Sequence, residues 1–271
     1  MNGRKMMFFD IDGTLIPEGK AMVPESTKKA LKQARENGHL LFINTGRTYF
    51  NIDPFIRALD FDGYVCGCGT YIYYRGQQLL ANTIPHDRCV KLVEHMRSCR
   101  IPGFYEENDH IYFDRDAAGH ESGTQAARIL EDARRTFGTK AYDLPENIYS
   151  DSFTFDKILA FVQPYSDLEQ FRAYSDTFME YIDRGGNMGE IIQKGYSKAT
   201  GIRFLCDHLK ISLDDCYAFG DSTNDLAMLD YVPYSVAMGN SDAIVKERCA
   251  YITDDVEHDG IYNAMKHFGL I

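Results

Sequence analysis

The sequence has no uninterrupted apolar run that approaches the roughly 20 residues needed to cross a bilayer. Its first residues also lack the succession of basic, apolar and small residues that marks a secretion signal. Cations are scarce as well, since 29 lysines and arginines stand against 40 aspartates and glutamates, a formal net charge of −11. We therefore expect a soluble, cytoplasmic protein that binds neither membranes nor nucleic acid, because its overall charge repels polyanions. A small anion can still bind at a local cationic site.

The usual frameworks of cysteine chemistry are missing too. The seven cysteines include no CxxC pair, and the eight histidines show no spacing typical of metal ligands. We expect ordinary reduced thiols rather than a zinc site or disulfides. The loops contain no GxSxG motif and no Cys/His pair, so any nucleophile must be of another kind.

The two ends of the chain share a pattern of apolar runs that stop abruptly at polar residues. At 271 residues with 44% hydrophobic side chains, the chain is near the length at which one core splits into two. The runs 6–9 and 40–44 flank a helical stripe made of Thr27, Ala30, Leu31 and Ala34, with Pro24 at its start. A second strand, loop and helix follow a helix capped by Ser197. Strand, helix and strand in succession predict an α/β fold with a parallel sheet.

The middle of the chain has a different pattern of predicted helices and strands. Helical candidates such as "HDRCVKLVEHMRS" and "SGTQAARILEDARRTF" alternate with the strand candidates "IYFD", "KILAFV" and "FMEYID", none of which ends in a similar acidic loop. We predict a discontinuous core of residues 1–82 and 190–271, with an α+β domain inserted at residues 83–189. Gly185 and Gly186 form either a hinge for the return to the core or a hairpin turn.

Four separate stretches place polar groups where predicted strands end or helices begin, which is where parallel sheets bind ligands. Carboxylates that converge there must share a proton or hold a cation, and an oxygen-rich site suits Mg²⁺. Such a site favours phosphate, to which a hydroxyl, a backbone amide and a lysine are suitable donors. The groups are Asp10 with Asp12; Thr45, Gly46 and Arg47; Lys198; and Asp221 with Asn224 and Asp225.

Simpler interpretations exist for single residues. A calcium loop would need glycine at position six and glutamate at position twelve, but counting from Asp10 places Gly13 fourth and Ala21 twelfth. Lys198 taken alone would be a solvated lysine at the start of a helix. Arg47 stays open between a substrate contact and a surface ion pair.

Together the motifs resemble the haloacid dehalogenase (HAD) superfamily. "DIDGTL" at 10–15, "NTGR" at 44–47, "GYSK" at 195–198 and "GDSTNDLAML" at 220–229 are similar, in order and placement, to its four motifs. The long insertion between the second and third motifs resembles the Cof-type (HAD-IIB) branch with a C2B cap. The resemblance implies a Rossmann-like core with an inserted α+β cap.

The resemblance also implies a role for each matching residue. Asp10 would attack phosphorus and form an aspartyl-phosphate, while Asp12 would act as general acid and then as general base. Mg²⁺ would be held by the side chains of Asp10 and Asp221 and by the backbone carbonyl of Asp12. Thr45, Gly46 and Lys198 would hold the phosphoryl group, with Asn224 near the phosphate and Asp225 orienting either the waters of the metal or Lys198. We count Arg47 among the candidate substrate-binding residues as well.

The resulting hypothesis is a Mg²⁺-dependent phosphatase that acts on small phosphate monoesters such as sugar phosphates. Asp12 favours this branch, because dehalogenases and ATPase pumps of the superfamily lack an aspartate at that position. Two alternatives stay open, namely a phosphomutase or phosphotransferase that uses the same intermediate, and a catalytically inactive regulator that binds a phosphate ligand. The sequence leaves the substrate and the oligomeric state undetermined.

Overall fold

The computed structural model describes residues 3–108, 110–116 and 124–271. The chain folds as two compact units. The core unit comprises Met1–Arg47, Ile52–Ala81 and Tyr196–Ile271, and the inserted unit comprises Thr48–Asn51 and Asn82–Gly195. Among the described residues, the helices are too short or too polar to cross a membrane.

The core unit is built on one sheet whose strands lie in the order β14-β13-β12-β1-β2-β3-β4-β5. From β14 to β3 all neighbouring strands are parallel, which confirms the predicted α/β fold. The last two strands are an antiparallel addition: the turn at Gly67–Gly69 reverses the chain between β3 and β4, and Arg75 and Gly76, both at positive φ, form a tight hairpin between β4 and β5. Numbered along the whole chain, the core strands are β1 (Met6–Phe9), β2 (Leu40–Asn44), β3 (Gly63–Cys66), β4 (Tyr71–Tyr74), β5 (Gln77–Ala81), β12 (Cys216–Gly220), β13 (Tyr234–Ala237) and β14 (Tyr251–Ile252).

Helices of the core unit follow the predicted apolar stripes. The buried residues of the first helix are Thr27, Ala30, Leu31 and Ala34, as expected. The helix begins one residue later than predicted, because Pro24 has an extended ψ of 144° and acts as the N-cap. The core helices are α1 (Glu25–Glu36), α2 (Pro54–Arg57), α6 (Lys198–Leu209), α7 (Leu226–Leu229), α8 (Ala243–Arg248) and α9 (Gly260–His267).

Strand β1 lies at the centre of this unit and is buried on both faces. Phe8 stacks on Phe42 of β2 with ring centroids 5.3 Å apart, in the apolar layer that includes Ile202 of α6. On the opposite face Phe9 stacks on Phe219 of β12 at 4.6 Å. All four β1 side chains are fully buried, as expected for a parallel strand covered on both sides. The residues that follow β1 therefore begin from a rigid position.

The inserted unit is an α+β structure around a second sheet, with strand order β10-β11-β9-β6-β7-β8. One face packs against helices α3 and α5, and the other against α4. Strands β6 and β8 lie in segments for which the sequence analysis predicted neither a helix nor a strand. The elements are α3 (His86–Ser98), β6 (Gly103–Glu106), β7 (Ile111–Phe113), α4 (Gln125–Phe137), β8 (Ala141–Asp143), β9 (Lys157–Phe161), α5 (Leu168–Ser175), β10 (Met179–Asp183) and β11 (Met188–Gln193). Residues 122 and 123, which the pattern assigned to the second helix, lie outside the described residues.

Gly185 and Gly186 lie in a hairpin turn rather than at a hinge. The turn joins β10 to β11, and the N–H of Met188 donates to the Gly185 carbonyl at 3.0 Å. Strand β11 also pairs with β9. Because a boundary at residue 189 would cut this three-stranded ladder, the compact unit continues to Gly195.

Three buried charged residues on neighbouring strands of the inserted unit form an ion cluster with the half-buried Arg184, which follows β10. Lys157 Nζ lies 2.6 Å from Glu190 Oε1 and 3.3 Å from Glu106 Oε1, and Arg184 donates to Glu190 from Nε at 2.9 Å. Burial raises the pKa of Glu190, but the charges of Lys157 and Arg184 outweigh it and bring the pKa from its ordinary 4.5 down to about 2. The unit thus depends on Glu190 being ionised.

This cluster generates a pH dependence of stability. A carboxyl whose pKa is lowered by folding stabilises the protein above pH 4.5, and that stability is lost as the pH falls toward 2. We expect the wild-type protein to lose about 3 kcal/mol from this source over that range, and Glu190→Gln to lack this component. Urea unfolding between pH 5 and pH 2.5 measures it, with the exposed Glu180→Gln on β10 as the matched control. Identical pH slopes for wild type and Glu190→Gln would contradict the assignment.

Candidate active site

Three loops meet at the carboxyl edge of the core sheet. Strand β1 lies between β2 and β12, so the loops that follow Phe9, Asn44 and Gly220 are neighbours. The N–H of Asp10 donates to the carbonyl of Phe219 at 3.0 Å, which extends the β1–β12 ladder by one residue. The polar residues of the predicted motifs therefore begin from fixed backbone positions.

The loop after β1 is a tight turn around Ile11. This side chain is fully buried, and its carbonyl accepts hydrogen bonds from the N–H groups of Leu15 at 2.9 Å and Ile16 at 3.0 Å. Gly13 has φ +78°, a conformation that favours glycine. A Cβ atom there would lie 2.5 Å from Cγ of Asp221, so the loop can approach that carboxylate only because residue 13 is glycine.

Lys198 lies at the start of α6 but is not a solvated surface lysine. Its side chain is 2% exposed, and Nζ donates to Asp10 Oδ1 and to Asp225 Oδ1, each at 2.5 Å. Burial opposes its charge, but the two carboxylates outweigh burial and raise the pKa of Lys198, so the amine remains protonated. The helix start is fixed by the capping box of Ser197, as predicted, and by Asn44, whose Nδ2 donates to the Lys198 carbonyl at 3.0 Å.

Asp225 is fully buried and organises the loop after β12. Its Oδ2 accepts hydrogen bonds from the N–H groups of Asp221 at 2.9 Å and Ser222 at 3.1 Å, while Oδ1 faces Lys198. Asn224 is half-buried, and its side chain accepts a hydrogen bond from Ser222 Oγ at 2.5 Å. Asp225 therefore supports Lys198 and Asp221 together.

Asp10, Asp221 and Asp225 form an acidic cluster that fits a metal ion. One oxygen of each carboxylate lies within 4.8 Å of the others. Burial raises the pKa of Asp10, and the negative charge of Asp225 raises it further. Burial and the charges of Asp225 and Asp10 likewise raise the pKa of Asp221, to about 8. The raised pKa values reflect the repulsion among three carboxylates that face the single ammonium of Lys198, and a divalent cation would offset this repulsion and favour the ionised carboxylates. The hard oxygen donors are of the type that Mg²⁺ prefers.

Asp12 differs from this cluster in its environment. Its side chain is 55% exposed and forms a two-pronged ion pair with Arg47, at 2.9 Å from Nε and 2.6 Å from NH2. Arg47 also donates to Asp53 at 3.1 Å. This ion pair is one of the two possibilities left open for Arg47, and the substrate contact stays a prediction.

The second motif, residues 44–47, lies at the end of β2, which is a neighbour of β1 in the sheet. Thr45 is buried, and its Oγ1 accepts a hydrogen bond from the N–H of Arg47 at 3.1 Å, while its own N–H donates to the Val65 carbonyl at 2.9 Å. Gly46 is half-buried between them. The strand end thus fixes the backbone of the predicted phosphate-binding segment.

Several supporting residues escaped the sequence analysis. Thr14 Oγ1 donates to Asp221 Oδ1 at 3.1 Å, which joins the first and fourth motifs, and Asp53 and Asn44 fix Arg47 and Lys198 as described. Thr14 lies inside the quoted "DIDGTL" motif, so a hydroxyl beside two aspartates was a usable signal. Asn44 lies inside the quoted "NTGR" motif, but its contact with the Lys198 carbonyl, like that of Asp53 with Arg47, depends on tertiary structure and could not be predicted from the motif.

The close approach of Gly13 to Asp221 can be tested by stability measurements. We expect Gly13→Ala to lower the free energy of unfolding by about 1–3 kcal/mol more than Gly19→Ala, because only the first substitution creates an overlap. Gly19 is the matched control, since its φ is +72° but nothing lies within 4 Å of an added Cβ. Urea unfolding monitored by circular dichroism measures both variants. Equal losses would show that backbone conformation alone requires glycine at residue 13.

Comparison with known proteins agrees with this geometry. Residues 7–265 match the family model of haloacid dehalogenase-like hydrolases. YkrA of Bacillus subtilis is 30% identical over 271 residues, covering 98% of both chains. The pyridoxal phosphate phosphatase YbhA of Escherichia coli is 29% identical, covering 95% of this chain and 96% of its own. The structure of the HAD subclass IIB sugar phosphatase BT4131 matches with a TM-score of 0.79 at 27% identity, covering 98% of this chain and all of the other. The resemblance seen in the motifs is confirmed, and the chain belongs to the haloacid dehalogenase-like hydrolases.

Proposed function

We propose that this protein is a Mg²⁺-dependent phosphatase that hydrolyses small phosphate monoesters, sugar phosphates among them, through an aspartyl-phosphate on Asp10. The observation that supports it most is the contrast between two aspartates two residues apart. Asp10 is 4% exposed and hydrogen-bonded to a buried lysine, whereas the side chain of Asp12 is 55% exposed. A nucleophile needs a fixed position, and a general acid needs access to solvent protons and to the leaving group.

The reaction has two steps. In the first, a carboxylate oxygen of Asp10 forms a bond to phosphorus, the ester P–O bond breaks, and Asp12 gives a proton to the departing alkoxide. In the second, Asp12 takes a proton from a water molecule whose oxygen attacks the same phosphorus, which releases inorganic phosphate and restores Asp10. Asp12 ends each cycle as it began, so the proton balance closes.

The remaining residues bind and orient. The side chains of Asp10 and Asp221 and the backbone carbonyl of Asp12 would hold Mg²⁺, which when bound offsets the negative charge that two anions bring together. Lys198 is protonated and rigid, because Asp225 fixes its ammonium group from the other side. The anionic substrate would compete with Asp12 for Arg47. The phosphate oxygens would be bound by Thr45, Gly46, Arg47, Lys198 and Asn224.

The names of the relatives support a common phosphoryl group rather than a common substrate. Pyridoxal phosphate and sugar phosphates are the substrates that two of those names state. We propose that the inserted domain, predicted at residues 83–189, acts as the cap that selects the leaving group. The core motifs then supply the chemistry alone.

Removal of the nucleophile is the first test. We expect Asp10→Asn to lower kcat by at least about 10³-fold, because an amide cannot form the intermediate. Phosphate release is measured on a panel of small phosphate esters with Mg²⁺ and with EDTA, and circular dichroism confirms the fold. Asp214→Asn, an exposed aspartate near the start of β12, is the control.

The panel also separates the alternatives. Wild-type turnover that survives in Asp10→Asn, or no Mg²⁺-dependent release at all, would contradict the proposal. Binding without turnover would indicate a regulator. Transfer of the phosphoryl group to an added sugar, with little free phosphate, would indicate a phosphotransferase or mutase.

The second test concerns the role of Asp12 as general acid. A p-nitrophenolate group leaves without a proton, whereas an alkoxide requires one. We expect Asp12→Ala to lower kcat/KM by about 10²-fold or more on an alkyl phosphate and by much less on p-nitrophenyl phosphate. The ratio kcat/KM is the correct measure, because it reports steps up to the departure of the leaving group. Equal losses on both substrates would show that Asp12 is not the acid.

A further inference from the structure

The turn that follows β13 contacts the loop after β12. The N–H of Met238 donates to the Gly220 carbonyl at 3.0 Å, and the hydroxyl of Ser241 donates to the same carbonyl at 3.4 Å. Gly220 directly precedes Asp221, a predicted metal ligand. The turn Met238–Ser241 is therefore attached next to one side of the acidic cluster.

Asn240, within this turn, contacts the loop after β1. Its Nδ2 donates to the Gly13 carbonyl at 2.8 Å, and its Oδ1 accepts a hydrogen bond from the N–H of Val256 at 3.0 Å. A side-chain amide can donate and accept at once, which a carboxylate or an apolar side chain cannot do. Asn240 is exposed, so burial does not require these two bonds. Their effect is to fix its orientation toward Gly13.

The turn itself is seated rigidly on the C-terminal loop. The N–H of Gly239 donates to the Asp254 carbonyl at 3.0 Å. A Cβ on Gly239 would lie 2.5 Å from the backbone nitrogen of Asp255, so the two backbones are in close contact. The backbone position of Asn240 is thus fixed by the contacts of its turn with Asp254 and Asp255.

Gly13 is the residue through which Asn240 can affect the positions of the catalytic residues. It follows Asp12 directly, precedes Thr14, and lies against the Asp221 carboxylate. Its carbonyl belongs to the peptide unit that joins Gly13 to Thr14, so a change in the direction of this carbonyl displaces Thr14 directly and Asp12 through the Cα of Gly13. Misplacement of a catalytic group by about 1 Å can cost as much as 10²-fold in rate.

We propose that Asn240 is a positioning residue for Asp12. By holding the Gly13 carbonyl while its own turn holds Gly220, it fixes the loop of Asp12 relative to the loop of Asp221. This inference rests on the proposed function, because it assumes that Asp12 protonates the leaving group. Asn240 itself does not touch the reacting atoms.

The test compares two substrates in two variants and a control. Asn240→Ala removes both hydrogen bonds, whereas Asn240→Asp keeps an acceptor for Val256, loses the donor to Gly13 and adds a negative charge. We expect both variants to lower kcat/KM by roughly 10-fold on an alkyl phosphate and by no more than about 2-fold on p-nitrophenyl phosphate. Asn37→Ala is the control and should change neither value: the Asn37 amide donates to the Leu270 carbonyl at 2.9 Å, and the residue lies before β2, at the sheet edge opposite the acidic cluster.

Loss of stability alone predicts a different result. A merely structural role would lower kcat/KM equally on both substrates, and that outcome would overturn the proposal, as would wild-type kinetics in Asn240→Ala. Melting temperatures of all variants establish that the folded protein is compared. If Asp12→Ala discriminates between the substrates and the Asn240 variants do not, this inference alone is wrong. If Asp12→Ala itself shows equal losses, the role of Asp12 is wrong and the inference falls with it.

Discussion

The arrangement of the core edge depends on one buried ammonium group between two buried carboxylates. Lys198 Nζ lies 2.5 Å from both Asp10 and Asp225, and all three side chains are nearly inaccessible to water. Removing such charges from water is costly, and the loss of one partner from a buried pair typically costs 3–5 kcal/mol. The pairing therefore requires that strand β1, the start of α6 and the loop after β12 keep their relative positions. Residues far apart in sequence are held together by this requirement.

Around that centre, backbone geometry determines how close the loops can approach. Gly13 lies against the Asp221 carboxylate where a larger residue would overlap it, and Thr14 then donates to the same carboxylate at 3.1 Å. The supporting hydrogen bonds come from side chains that do no chemistry in the proposed reaction, such as Asn44 toward the Lys198 carbonyl. Rigidity is thus spread over many neutral contacts, while the charges are confined to a few residues.

The sequence was sufficient for features in which local pattern and tertiary environment agree. Runs such as Met6–Phe9 predicted buried parallel strands, and Asp10 and Asp221 follow the ends of two of them, where their carboxylates lie together. Pattern was insufficient where tertiary contacts decide: the short strand Gly103–Glu106 has no clear alternation and is completed by pairing with both neighbours. Lys198 is a similar case, because a lysine at a helix start is ordinarily solvated, and only the carboxylates contributed by distant segments explain its burial.

Asp10 and Asp12 show how position along a strand gives identical side chains different properties. Asp10 continues the β1 ladder through its bond to Phe219, which directs it toward the buried ammonium of Lys198. Two residues on, the chain has entered the turn around the buried Ile11, and the exposed side chain of Asp12 reaches Arg47. In the proposed reaction the first needs a fixed oxygen and the second an exchangeable proton. Burial and exposure supply these two conditions, and the buried residue between the aspartates is what allows both within one turn.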